Sequence, residues 1–469
     1  MAVMILTACA PGDTPATTTA PTQSISTTPP VSAPSETTAP TTAPTTAATT
    51  ITSSTQAGFT ETAVPPTPAP TAAGTIDCTG VNTGDQVSVM YQWTGTEEAL
   101  FNNIMTPFET ACGVKIVANS TRDNAVLDTA VKSTPPDILF WPSISPLNLY
   151  TDKLVDLTTL GVDPNNYASY WVKMGMVNGK LLMLPAKTDI KTIIWYSPTQ
   201  FTANDYSVPT SLDELNTLVD EMVSNGQVPW AMGFESGSST GWTGSDFIQD
   251  LLLAMKGPDY VNGMINGTTP YNDAGVLAAY QQYVKWASDP KYTVGGANGT
   301  ININFGDALL QPFKNPPEAL MVKQSGFAGG DIVHEFPNLI YGTDYAFFGF
   351  PGAQGVQGGA DYMYAFSSSP VVKAMLAYIT GPVGAANWAA TGFALDPNKN
   401  ADGKYIDPQL SDMAKILSAT NGFTPSIGDT IGGIFQPAEW TAIINSVQGK
   451  DIQTELNAVE AAQMSSLGK

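Results

Sequence analysis

From Gly84 onward, apolar positions alternate between two spacings. "QVSVMYQW" carries them at every second residue, which predicts a half-buried strand. Glu97 to Glu109 carries Leu100, Phe101, Ile104, Met105 and Phe108 at helical spacing. "VKIVA" predicts a second strand, Asn124 to Lys132 a helix, and "DILFW" a third strand. Strand–helix–strand–helix–strand implies parallel pairing with right-handed crossovers. A second series follows: "TIIWYS" as a strand, Ser211 to Ser224 as a helix, and "VPWAMGF" as a strand. Ser211 with Glu214 three residues on has the pattern of a capping box.

Ligands in such sheets gather beyond the carboxyl ends of the strands. That predicts one rim holding Trp93, Glu97, Trp141 and Ser143. A second rim follows "VPWAMGF", where "ESGSSTGWTGSDF" surrounds Trp242 with glycines and small polar residues and adds Glu235 and Asp246. Indoles stack on the apolar face of a pyranose while carboxylates take its hydroxyls, so two facing rims predict a sugar clamp. Trp171, Trp286 and Trp440 lie inside helical patterns and are expected in the core.

Composition narrows the function. The 469 residues are 43% hydrophobic and 13% charged, with a formal net charge of -22. That charge disfavours nucleic acid and anionic surfaces. Arg122 is the single arginine and His334 the single histidine, too few for a phosphate fork or a zinc cluster. No metal and no cofactor is expected.

The first residues change the location. Leu6-Thr7-Ala8-Cys9 resembles a bacterial lipobox, with Cys9 as the lipidated residue. Residues 1–8 are then the remnant of a signal peptide whose basic region is missing, as if the start were placed late or the chain truncated. From there to residue 75 the chain is nearly all Thr, Pro, Ala and Ser, a composition that cannot bury enough surface to fold. As a coil of roughly 65 residues this tether would span about 45 Å. Cys78 and Cys112 remain. In an oxidising compartment they are a disulfide candidate, with two independent buried thiols as the alternative.

An ordered series of stretches resembles the solute-binding proteins of carbohydrate ABC importers, of the maltose-binding type and its alpha-glucoside branch. They are "PPDILFW", "DIKTIIWYSP", "PWAMGFESGSSTGWTGSDFIQDLLLAMKGPDYV", "FKNPPEALMVKQSGF", "DYAFFGFP", "GGADYMYAF" and "WAATGFALDPNK". The resemblance covers some four-fifths of the chain. It implies an α/β fold of two lobes, the periplasmic-binding-protein fold, with a ligand cleft between lobes that close by hinge motion. The folded part is expected at 76–469, lobe 1 at about 86–188 and 300–341, lobe 2 at about 189–299 and 342–469.

The resemblance implies a stacking role for Trp141 and Trp242 and polar ligand contacts from Lys191, Gln324 and Asp361, beside Trp93, Glu97, Ser143, Glu235 and Asp246. Its implied partners are an oligosaccharide, the importer's permease subunits and the membrane through Cys9, with the protein acting as a monomer. Two departures stand out. Ala231 and Ala319 occupy positions where the branch carries cysteines, and Ile144 stands where maltose-type proteins carry an acid. A glycosidase with paired carboxylates and a passive surface adhesin are the rival readings. "DPNKNADGKYID" has the opening spacing of a calcium loop but Gln409 where the closing Glu belongs.

Overall fold

A computed structural model of the protein describes residues 74–121 and 123–469. The expectations for residues 1–8, Cys9 and the tether up to residue 73 lie outside the described residues.

The apolar strand patterns build two sheets. The first has five strands in the order Lys115–Ser120, Gln86–Tyr91, Ile138–Trp141, Ala360–Ala365, Leu184–Thr188. The first three are parallel, as the alternating strands and helices require, and the fourth is antiparallel to both its neighbours. The second has four strands in the order Ala346–Gly349, Ile193–Tyr196, Met321–Lys323, Trp230–Ala231.

These pairings correct the expected lobes. Residues 321–323, expected in lobe 1, lie between two strands of the second sheet. Residues 360–365, expected in lobe 2, join the first sheet between Ile138–Trp141 and Leu184–Thr188. Strand partnership is set by hydrogen bonds between segments far apart in the chain, which spacing along it does not reveal.

Local chemistry placed the helices well. Thr96–Cys112 buries Phe101, Ile104, Met105 and Phe108 against the first sheet's core and ends at Gly113 in the left-handed region, with φ 65°. Cys112 at its end is disulfide-bonded to Cys78. Leu212–Ser224 is capped by Ser211, whose Oγ accepts from Glu214 N at 3.2 Å. The return half of the box is shifted by one residue: Glu214 Oε2 accepts from Thr210 N at 2.7 Å.

The lobes meet where the chain crosses between sheets. One crossing joins Leu184–Thr188 to Ile193–Tyr196, a second returns through Val356–Gly358, and a third passes through Phe423–Pro425. They lie side by side. Thr188 N donates to Leu395 O at 2.9 Å, Asp189 N to Gly359 O at 3.0 Å, and Lys191 N to Gln357 O at 2.7 Å. Val356–Gly358 pairs in parallel with Phe423–Pro425. A Cβ on Gly358 would lie 2.0 Å from the Asp189 carbonyl oxygen, so the two crossings touch backbone to backbone.

Candidate functional site

The stretch around Trp242 forms the wall of a cavity of about 520 Å³. Gly241, at φ 108°, turns the chain immediately before Trp242 and donates its N–H back to Phe234 O at 3.2 Å, and Trp242 opens the helix Trp242–Met255. The glycines there are spacers. A Cβ on Gly241 would meet Trp440 Cβ at 3.0 Å, and one on Gly244 would meet Ile443 and Phe234 at 2.9 Å. Helix Phe435–Val447 can therefore pack close and bring Trp440 to the same cavity. Phe305 stands edge-on to Trp242, ring centroids 5.3 Å apart and planes at 70°. Three aromatic side chains line one hollow. Trp440, expected in the core, is half-buried here instead, because its helix presents Ala442, Ile443 and Val447 to the core and turns the indole away from it. Trp171 and Trp286 are buried as expected.

The floor is charged and crowded. Lys191 Nζ sits 3.3 Å from Asp246 and 3.7 Å from Asp429, and donates to Ser426 Oγ at 2.8 Å. Burial alone would lower the Lys191 pKa. The carboxylates of Asp246, Asp429 and Asp189 outweigh it and hold the ammonium above its usual value. Asp246 is buried, and its Oδ1 also accepts from Gln357 Nε2 at 2.6 Å. Behind Ser245, buried Glu439 accepts from Ser245 Oγ at 2.8 Å and from Tyr271 OH at 2.6 Å. Burial, helped by the negative charges of Asp246 and Asp429, pushes the Glu439 carboxyl up to about 7 against those two hydrogen bonds.

The first lobe brings together Trp93, Glu97 and Asp361, joined by Lys187. Lys187 Nζ pairs with Glu97, lies 3.7 Å from Asp361 and sits 4.8 Å from the centre of the Phe393 ring. Trp93 Nε1 donates to Asp361 Oδ2 at 2.5 Å. Burial raises the Asp361 carboxyl and Lys187 opposes the shift.

Three of the expected ligand residues, Trp93, Trp141 and Gln324, lie in the interior. Trp93 is 2% exposed and packs among Tyr91, Phe101, Phe140 and Phe393, so it has no face left for a sugar. Trp141 is 1% exposed in a strand paired on both sides through its sheet, a core residue rather than a platform. Gln324 is buried with its Oε1 on Ser325 N at 2.9 Å and does not line the cavity. Ser143 is tied to Ser145, Oγ to Oγ 2.7 Å, at the start of the short helix Ser145–Leu149. Glu235 is exposed beside the cavity; Asn304 Nδ2 at 2.6 Å and Gly237 N at 3.1 Å hold its carboxyl below the usual range.

The Asp396–Asp407 loop uses its side chains on the protein itself. Asn398 Oδ1 accepts from Asn400 N at 2.9 Å, its Nδ2 donates to Thr380 O at 2.6 Å, and Asp402 accepts from Ser418 Oγ at 3.0 Å. These contacts are a capped turn, not a ring of oxygens turned toward one centre. Among the described residues no group of three or more His, Cys, Asp or Glu is placed to hold a metal. No described helix is long and apolar enough to cross a membrane.

Comparison with known proteins bears on this geometry. A model of the family described as bacterial extracellular solute-binding protein matches residues 103–413, about two thirds of the chain. The chain is similar to the alpha-glucosides-binding periplasmic protein AglE of Rhizobium meliloti, 28% identical over 392 residues, 78% of this chain and 84% of that protein. It is also similar to the osmoprotective compounds-binding protein GgtB of Synechocystis sp., 25% identical over 408 residues, 81% of this chain and 94% of that one. Among solved structures, the bacterial solute receptor AcbH superposes with a TM-score of 0.67 at 17% identity, covering 82% of this chain and 98% of its own. RafE of Streptococcus pneumoniae superposes at 0.66 and 18%, covering 82% and 99%. At those identities the superpositions establish the two-lobed fold.

Proposed function

The chain belongs to the bacterial extracellular solute-binding proteins, and we propose that it captures a neutral oligosaccharide, an alpha-glucoside, for an ABC-type importer. The observation that carries this reading is one cavity walled by Trp242, Trp440 and Phe305 and floored by Asp246, Lys191 and Asp429. Aromatic faces take the C–H face of a pyranose, and the carboxylates take its hydroxyl protons. The one lysine at the floor is already surrounded by carboxylates, so an anionic sugar finds no free cation and meets Asp429, whose side chain is 65% exposed. The chain crossings at the hinge support closure of the first lobe, with its Lys187, Glu97 and Asp361 set, over a sugar held on the second. The relative AglE, named for alpha-glucosides, supports the ligand class.

In this reading Cys9 carries lipid, the Thr- and Pro-rich segment tethers the domain to the membrane, and the loaded protein docks as a monomer on permease subunits. Binding without chemistry is the proposed action, so a sugar is released as it was captured.

Thermal-shift and calorimetric titration with trehalose, sucrose, maltose, maltotriose and raffinose, with glucuronic acid as the anionic control, test the proposal. A ligand at a hundredfold excess over Kd stabilises by about 2.7 kcal/mol, which a melting curve resolves. A response to at least one neutral glucoside and none to glucuronic acid is expected. Silence across the panel, or chromatography showing the sugar hydrolysed, would sink it.

A further inference from the structure

We infer that Gln357, which does not line the cavity, is the positioning residue through which the ligand floor and the hinge constrain each other; this rests on reading the cavity as the sugar site. Gln357 stands in the second crossing, fully buried, and four groups converge on it. Its Nε2 donates to Asp246 Oδ1 at 2.6 Å and to Ser426 Oγ at 3.2 Å. Its carbonyl accepts from Lys191 N at 2.7 Å, and its own N–H donates to Thr192 Oγ1 at 2.6 Å. Lys191 and Thr192 belong to the first crossing, Ser426 follows the third, and Asp246 belongs to the second-lobe helix under Trp242. One amide side chain and its backbone therefore touch all three crossings and the acid that faces the ligand.

The far end of this chain is anchored. Thr192 Oγ1 donates to Asp250 Oδ1 at 2.7 Å, and Asp250 pairs with Lys323 at 3.1 Å, both side chains almost wholly buried. Asp246 and Asp250 lie one helical turn apart on Trp242–Met255, so the helix is gripped twice, by Gln357 directly and by Thr192 from the neighbouring crossing. The orientation of the amide follows from charge. A carboxylate at 2.6 Å accepts from the amide nitrogen, and an amide oxygen in its place would be repelled.

Bending at the crossings during closure moves Thr192 and Gln357, and Asp246 cannot keep its place beside Lys191 unless they move together. A ligand hydroxyl on Asp246 draws on the same carboxylate that Gln357 holds. Occupancy and hinge angle are thus coupled through one hydrogen bond, and Gln357 sets both the aim of Asp246 and the balance between open and closed lobes.

The isosteric variant Gln357→Glu isolates this bond. At pH 7.5 the introduced carboxylate faces Asp246 and Lys191, with Asp189, Asp429 and Asp250 nearby, and cannot donate to Asp246. At pH 5.0 its protonated form can donate again. Affinity for the best neutral glucoside of the panel above, measured by calorimetry as a ratio to wild type at each pH, should fall about tenfold or more at pH 7.5 and recover to within about threefold at pH 5.0. Gln357→Leu should lose affinity equally at both pH values. In the ligand-free proteins, electron–electron distance measurements between spin labels at Lys132 of the first lobe and Glu221 of the second should show a population in both variants that wild type lacks. A wild-type protein that binds no sugar overturns the sugar reading, and the distance measurement still decides Gln357. Variants with wild-type affinity ratios, or with distance distributions identical to wild type, overturn the inference, as does a Gln357→Glu loss that acid does not relieve.

Discussion

Gly241 and Trp440 touch across the mouth of the cavity: a side-chain carbon on the glycine would fall 3.0 Å from Trp440 Cβ and 3.3 Å from its Cα. Gly241 also holds φ 108°, which L-residues rarely adopt. Gly241→Ala should therefore cost about 1–3 kcal/mol of stability and separate the two indoles. Denaturant melts and sugar titrations of the same variant check both parts. Wild-type stability and affinity together would show that the contact carries neither.

Trp242 and Trp440 lie partly open on the cavity, whereas Trp141 and Trp93 are sealed in the first lobe. Trp242→Ala and Trp440→Ala should each weaken sugar binding about tenfold to hundredfold, the loss of about 1.5–3 kcal/mol of ring contact. The empty protein should stay within about 1 kcal/mol of wild type. Trp141→Ala should show the opposite pattern, about 3–5 kcal/mol of lost stability. Equal destabilisation by all three substitutions would remove the distinction drawn between platform and core.

Glu439 titrates at about 7 in the folded protein, raised from an ordinary 4.5 by burial. Between those values the folded state holds a proton that the unfolded chain has released. Its contribution to stability is therefore fully present below about pH 4.5 and is lost as pH rises through about 7. The loss is on the order of 3 kcal/mol. Glu439→Gln has no such proton, so the difference in unfolding free energy between variant and wild type should change by that order between pH 5 and pH 8. A difference that stays constant with pH would place the proton elsewhere.

Cys9 is the anchor in the proposed reading. Mass spectrometry of membrane-extracted protein, expressed behind a complete signal peptide, should find a diacylglyceryl group on an N-terminal Cys9. A soluble product with a free Cys9 thiol is the contrary result.

What the chain by itself determined is local. Period-two and helical spacing located Gln86–Tyr91, Ile138–Trp141, Thr96–Cys112 and Leu212–Ser224, since those elements are set by which residues can cover a sheet or a helix face. The glycines around Trp242 marked a place where backbones approach, and Trp242 does line the cavity with Asp246 and Lys191. Tertiary structure decided everything that depends on a distant partner. Met321–Lys323 and Ala360–Ala365 exchanged lobes because backbone hydrogen bonds join strands that are far apart along the chain. Trp141 and Trp93 read as rim residues but sit in the core, because other strands and rings close over both faces of their positions. Trp440 read as core yet reaches the cavity, because Gly241 lets its helix pack close while the indole stays on the open side. Gln357 carried no signal at all: an uncharged amide in the glycine-rich stretch 355–359 acquires its role only where three crossings meet beside Asp246.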